Sequence, residues 1–242
     1  MLNSSAQGFS RVTNQAAGNA SQPGVQLDRN KSIIWARYLI DSPDWLIFAT
    51  RVTRVNSETG PLATPIKLVS LSLLTPSGKV VYEAMLKPQE MIPSDLISEH
   101  GLDYSVVFNA QPFSEIAVRM QKLISGKQIL AWDLNAQQHL FDELCKLFAQ
   151  PLVPFVGYSL RPEYARFVGE YDAASGAYKP QALAVDGISA TAECRAMLDV
   201  LTQMASTSQS RDAAPVGNQG WTAEFYKPKV NAADKIKDFL GL

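Results

Sequence analysis

The chain has 242 residues, with 22 Lys and Arg against 23 Asp and Glu and a formal net charge of -1. That length is enough for one sizeable core with additional tails. A hydrophobic fraction of 46% with 19% charged residues excludes a wholly disordered chain. Near-neutrality provides no overall field that attracts polyanions, so any affinity for nucleic acid has to come from a local patch.

Cysteine usage and hydropathy indicate the compartment. Cys145 and Cys194 are too few and too far apart for a disulfide framework or a metal site, so we expect free thiols in a reducing compartment. No apolar run reaches the roughly 18 residues that a membrane span needs. The first 30 residues carry no signal-peptide pattern. We therefore expect a cytoplasmic protein without a membrane span.

The first half of the chain predicts an arm, a short helix and three strands. Residues 1–30 are dominated by Asn, Ser, Gln, Ala and Gly, which favours a disordered arm. From Ser32 to Asp41 the apolar residues recur at helical spacing. Three runs rich in β-branched and aromatic residues follow, the last two around a Pro/Gly turn that is typical of a hairpin. The predicted strands are Trp45–Val55, Ile66–Leu74 and Val80–Leu86.

Helical patterns dominate the second half. Three apolar stripes at helical spacing predict helices over Phe113–Ile124, Leu140–Phe148 and Ala192–Met204. Short apolar runs between them predict buried strands at Ile129–Trp132 and Phe155–Tyr158. This order of elements favours an α/β fold in which helices pack on both faces of a mixed sheet.

The end of the chain predicts a linker and a tail. Residues 206–220 are rich in Ser, Gln, Asp, Pro and Gly, which is typical of a linker. Residues 221–242 combine aromatic residues with a short amphipathic helix that Asn231 would cap. The candidate partner-binding residues are Trp221, Phe225, Tyr226, Ile236, Phe239 and Leu240. They suit docking to a partner protein and folding back onto their own domain equally well.

Four short phrases in the middle of the chain carry a family resemblance. They are Lys87-Pro88, Ile92-Pro93, His100-Gly101-Leu102 and Ala110-Gln111-Pro112-Phe113. In order and spacing these four short stretches resemble sequence motifs of the DnaQ-like (RNase T type) 3′-5′ exonucleases of the DEDD class. The resemblance extends from about Trp35 to Met204 and implies a ribonuclease H-like domain over residues 31–205.

The family's chemistry uses four carboxylates and a histidine, because two divalent metal ions must be held close together to activate water. The resemblance places Ala49, Arg51 and Gln137 at three of the acidic positions, Ile188 at the histidine position and Glu193 at the last acidic position. One carboxylate cannot hold two hard cations, and the charge of Arg51 repels Mg²⁺. The resemblance therefore implies a lost metal site, no cofactor and a pseudoenzyme.

A second alignment of the family's first-strand motif, shifted along the chain, leaves another interpretation of the metal site open. The segment Asn56 to Gly60 also resembles a damaged form of the family's Asp-x-Glu-Thr-Thr-Gly phrase, which would restore Glu58. Glu58, Asp133 and Glu193 would then have to converge to hold a relocated metal site.

Arg51 has two interpretations. In the first, its guanidinium pairs with a neighbour such as Glu193. In the second, Arg51 and Arg54 bind phosphate where the family binds metals. The sequence thus supports three functions. The favoured one is an inactive exonuclease-like domain that acts as a protein-interaction or scaffold module, and the alternatives are a non-hydrolysing nucleic-acid or nucleotide binder and an exonuclease with a relocated site.

Overall fold

A five-stranded mixed sheet organises the protein. The structure, a computed structural model, describes residues 23–55, 66–88, 103–187, 189–211, 213 and 217. The strands are β1 (Trp45–Val55), β2 (Ile66–Leu74), β3 (Val80–Met85), β4 (Gln128–Ala131) and β5 (Gly157–Ser159). Their order is β3-β2-β1-β4-β5; β2 is antiparallel to β1 and β3, whereas β4 and β5 are parallel to β1.

Six helices and a small hairpin complete the described part of the chain. The helices are α1 (Pro23–Asp41), α2 (Tyr104–Phe108), α3 (Phe113–Ile124), α4 (Leu134–Leu147), α5 (Leu160–Val168) and α6 (Ala190–Ser206). The hairpin pairs β6 (Tyr171–Asp172) with β7 (Ala177–Tyr178). The predicted α/β class is confirmed, but the sequence analysis missed α2, α5 and this hairpin. None of the helices in the described ranges is long and apolar enough to span a membrane.

The sheet separates two apolar cores. Side chains of α3 and α4, such as Phe113 and Phe141, pack on one face around Phe48. Those of α1, α5 and α6 pack on the other face, around Ile47 and Ala49. Successive residues of a strand point to opposite faces, so β1 supplies both cores by alternation. Because apolar cores cover both faces of β1, this strand occupies the centre of the sheet.

Helix α1 corrects the predicted end of the N-terminal arm. The sequence predicts disorder up to residue 30, whereas α1 begins at Pro23 and is 19 residues long. Arg29 Nε donates to the carbonyl oxygen of Phe167 at 3.1 Å. The Asn30 side chain exchanges two hydrogen bonds with the backbone of Ser210, at 3.2 and 2.6 Å. These partners are far away in the sequence, so the local pattern could not indicate that residues 23–30 are helical.

The same contacts change the beginning of the predicted linker. Ser206 is the last residue of α6, and Ser210 is held by Asn30 of α1. Arg37 of α1 donates to the carbonyl oxygens of Ala205 and Thr207, at 2.8 and 2.7 Å. Residues 206–210 are therefore packed against the domain. The remaining division into domain, linker and tail stays a prediction.

We expect the two cysteines to be unreactive in the native protein. Both are free, as the sequence predicts, and both are buried. Burial raises the pKa of the Cys145 thiol and of the Cys194 thiol, and the thiolate is the reactive form. Ellman's reagent should therefore label both thiols rapidly in urea and neither on that timescale without denaturant. Rapid labelling of either thiol in native buffer would contradict this burial.

Candidate functional site

The candidate site lies at the carboxyl ends of the three parallel strands. β1 pairs with β4 through Trp45–Ile47, so Arg51 lies beyond the end of β4. Helix α4 begins shortly after β4 and α5 directly after β5, and both N termini therefore face this side of the sheet. Ser159 Oγ, at the end of β5, accepts the first backbone N–H of α4 from Leu134 at 2.9 Å. We call this region, with Arg51, Asp133, Gln137, Arg161 and Glu193, the carboxyl edge.

Arg51 and Glu193 form an ion pair on the α6 side of the sheet. Arg51 Nε lies 3.8 Å from Glu193 Oε2, and Arg51 Nη1 donates to the carbonyl oxygen of Gly187 at 3.3 Å. Burial raises the pKa of the Glu193 carboxyl, and the positive charge of Arg51 opposes that rise. Arg51 therefore lies beside Glu193, as the first interpretation expects, and its role in binding phosphate stays a prediction.

The first turn of α6 holds Glu193 in position. Ser189 caps the helix, since its Oγ accepts from Ala192 N at 3.0 Å. The buried Thr191 hydroxyl donates to Glu83 Oε1 at 2.6 Å and lies 2.8 Å from Ser72 Oγ. Because Ser72 and Glu83 belong to β2 and β3, these bonds fix the turn against the sheet. No pattern in the sequence indicates these roles of Thr191 and Glu83, because they depend on contacts between β2, β3 and α6.

Gln137 contacts β1 but not the Arg51–Glu193 pair. Its Oε1 accepts hydrogen bonds from Thr50 N, at 2.9 Å, and from Thr50 Oγ1. Thr50 and Arg51 are neighbours on a strand, so their side chains point to opposite faces. Gln137 therefore attaches α4 to the central strand. Ala49 is fully buried in the core beneath α6 and offers no polar group.

Asp133 is already engaged by two partners. Its Oδ1 caps α4 by accepting from Ala136 N at 3.1 Å, and its Oδ2 lies 3.7 Å from Arg161 Nη1. Arg161 is a second guanidinium at the carboxyl edge, and its side chain is 42% exposed. The sequence analysis missed it because α5 was not predicted.

The relocated metal site gains no support from this geometry. Asp133 pairs with Arg161 and Glu193 with Arg51, so the two carboxylates have separate arginine partners. Across the parts of the chain that the structure describes, no group of three His, Cys, Asp or Glu could hold a metal ion. Glu58 lies outside those parts. The expected absence of a metal or other cofactor stays a prediction.

Several other predicted residues also lie outside the described residues. Ile188 is one, and the Arg54 side chain is another, although its backbone belongs to β1. The same holds for the candidate partner-binding residues Trp221, Phe225, Tyr226, Ile236, Phe239 and Leu240. A protein partner for the tail and a cytoplasmic location therefore remain predictions.

Comparisons with known proteins bear on the fold. No family model and no curated protein matches this chain. A solved structure described as a 3′-exonuclease in 3′-end specific recognition of histone mRNA stem-loop is similar, at 15% identity and a TM-score of 0.45, covering 68% of this chain and 83% of that one. A full-length 3′-exonuclease has 14% identity and a TM-score of 0.45, covering 67% and 82%. Cell-death related nuclease 4 has 9% identity and a TM-score of 0.32, covering 67% and 64%.

These comparisons correct one prediction. The replaced acidic residues predict that the chain is not an enzyme, whereas the similar structures are described as 3′-exonucleases and a nuclease. The physical reason is that the loss of one set of metal ligands excludes one mechanism, whereas the same fold can carry other catalytic groups. The chemistry of the cleft therefore does not follow from Ala49, Arg51 and Gln137 alone. The fold that the structure shows is an α/β fold, in which helices cover both faces of a five-stranded mixed sheet.

Proposed function

We propose that this protein binds single-stranded nucleic acid at the carboxyl edge, with Arg51 contacting a backbone phosphate. The observation that carries the proposal is the position of Arg51 on the central strand, where its side chain is 33% exposed. Within the described residues Arg51 Nη2 has no hydrogen-bond partner. A planar guanidinium with free N–H groups matches the geometry of a phosphate better than any other side chain.

In the free protein the surroundings of Arg51 carry no uncompensated negative charge, because the carboxylates of Glu193 and Asp133 each lie beside an arginine. The N termini of α4 and α5 face the same edge, and their dipoles favour negative charge nearby. Gln137 is neutral and its Oε1 is already engaged by Thr50.

The charge of the whole protein limits the number of phosphates that it engages. With a net charge of -1 the protein provides no overall field that attracts the many phosphates of a duplex. A short single strand needs only a few phosphate contacts, which the carboxyl edge can provide. Binding should therefore be moderate in strength and sensitive to salt.

Arg51→Ala is expected to weaken binding of a single strand about tenfold, which corresponds to about 1.4 kcal/mol. One phosphate contact fewer should also reduce the slope of log K against log salt concentration by about 0.7. Fluorescence anisotropy with labelled RNA and DNA strands of roughly 12 nucleotides, titrated at several salt concentrations, measures both quantities.

Lys127→Ala provides the matched control. It also removes one positive charge. Lys127, however, lies at the amino end of β4, at the end of the parallel strands opposite to the carboxyl edge, where it pairs with Asp44 at 3.1 Å. It should therefore bind like the native protein. Equal affinities and salt slopes for Arg51→Ala and Lys127→Ala, or the absence of any binding by the native protein at low salt, would overturn the proposal.

Hydrolysis is a separate measurement on the same samples. Shortening of the labelled strand in Mg²⁺ or Mn²⁺ can be followed on a denaturing gel. Loss of such shortening in Glu193→Ala would assign it to the carboxyl edge. Binding by Arg51 is compatible with either result, because it concerns the phosphate contact and not the fate of the bond.

A further inference from the structure

Glu193 is the group in contact with Arg51 that a phosphate would have to replace. Arg51 Nε and Glu193 Oε2 are 3.8 Å apart, which is beyond the distance of a hydrogen bond between charged groups. The pair is therefore attracted by charge without the directional bond that would lock it. Such a pair can be opened by a ligand that offers shorter bonds to the guanidinium.

The carboxylate cannot withdraw easily when a ligand arrives. Thr191 and Ser189 fix the first turn of α6, so the backbone of Glu193 stays beside β1. The Glu193 side chain is only 17% exposed, which leaves it little room to rotate into water. A phosphate bound to Arg51 would therefore remain close to a negative charge.

The other groups around Glu193 do not offset this charge. Across the described elements that pack around it, Arg51 of β1 is the cation that acts on the Glu193 carboxyl. Cys194 is buried, and Glu83 of β3 is directed to the Thr191 hydroxyl. Gly187 presents only its carbonyl oxygen to Arg51.

We propose that Glu193 is an affinity-determining residue of the carboxyl edge, which competes with the ligand phosphate for the guanidinium of Arg51. This inference rests on the proposed function, because it concerns the same phosphate contact. Glu193 lowers affinity in two ways: it occupies Arg51 in the free protein and repels the phosphate in the complex. The site therefore selects anions that form shorter hydrogen bonds with Arg51 than Glu193 does.

Glu193→Gln should therefore bind the labelled RNA strand about five- to tenfold more tightly than the native protein, by conversion of roughly 1.0–1.4 kcal/mol. The substitution keeps the size of the side chain and removes its charge. The decisive measurement is a double-mutant cycle. In the Arg51→Ala background the same substitution should increase affinity by less than about twofold, because the cation for which Glu193 competes is gone and no phosphate is held beside Glu193.

Glu143→Gln is the matched control, since it removes one exposed carboxylate that pairs with Lys146 on α4. It should leave affinity nearly unchanged. A gain in Glu193→Gln that equals that of Glu143→Gln, or that persists in the Arg51→Ala background, would overturn the inference. Thermal denaturation verifies that each variant is folded, and Glu193→Ala repeats the test should the glutamine variant fail to fold.

The two proposals fail in different ways. If Arg51→Ala weakens binding but Glu193→Gln does not strengthen it, the proposed function stands and the competition by Glu193 is wrong. If neither the native protein nor any variant binds RNA or DNA, the proposed function is wrong and the inference falls with it.

Discussion

Gly157→Ala should be among the most destabilising single substitutions in this protein. A Cβ atom at position 157 would lie 1.9 Å from the carbonyl oxygen and 2.5 Å from the nitrogen of Ile129. These are backbone atoms of the neighbouring strand, so no side chain can rotate away to relieve the overlap. β4 and β5 would have to separate where Ile129 pairs with Gly157.

The expected loss of stability is about 3 kcal/mol or more, at the upper end of what overpacking costs. Urea denaturation followed by circular dichroism measures it. Gly24→Ala is the control, because nothing lies within 4 Å of a Cβ at that position near the start of α1. It should stabilise the protein by up to about 1 kcal/mol through helix propensity. Similar urea midpoints for both variants would refute the close approach of β4 and β5.

Deletion of α1 is expected to abolish the native fold. Four large side chains of this helix, those of Ile33, Ile34, Trp35 and Leu39, are at most 2% exposed. Burial of each contributes about 1.5–3 kcal/mol, which sums to roughly 6–12 kcal/mol. That sum is comparable with the 5–15 kcal/mol or so that stabilises a whole domain. A chain that begins at Ser42 should therefore show no cooperative thermal transition.

Two further N-terminal truncations serve as comparisons for this deletion. A chain that begins at Pro23 keeps all of α1 and should melt cooperatively. A chain that begins at Lys31, the domain boundary predicted from the sequence, loses the Arg29 and Asn30 contacts and should melt at a lower temperature. If the chains beginning at Pro23 and Lys31 melt at the same temperature, the polar contacts of residues 23–30 contribute nothing to stability.

Helix α5 illustrates a limit of the sequence pattern. Its Glu163 is 4% exposed, although glutamate ordinarily indicates a solvent-facing position. The carboxylate is accommodated because Ser32 Oγ of α1 donates to it at 2.9 Å and Arg166 pairs with it. One partner from α1 and one from the next turn of α5 thus make burial of a charged residue acceptable. No local periodicity could predict that arrangement.

The sequence by itself determined the strands of the β1–β2–β3 meander and the three helices with a clear apolar stripe, α3, α4 and α6. Their side chains alternate or repeat according to local backbone geometry, which any short window of residues reveals. It also named Arg51 and Glu193 and proposed that they pair. Only the tertiary structure placed Arg51 3.8 Å from Glu193 and Gln137 against Thr50, and extended α1 to Pro23. Those outcomes depend on contacts between residues far apart in the chain, which exist only once the sheet and its helices have packed together.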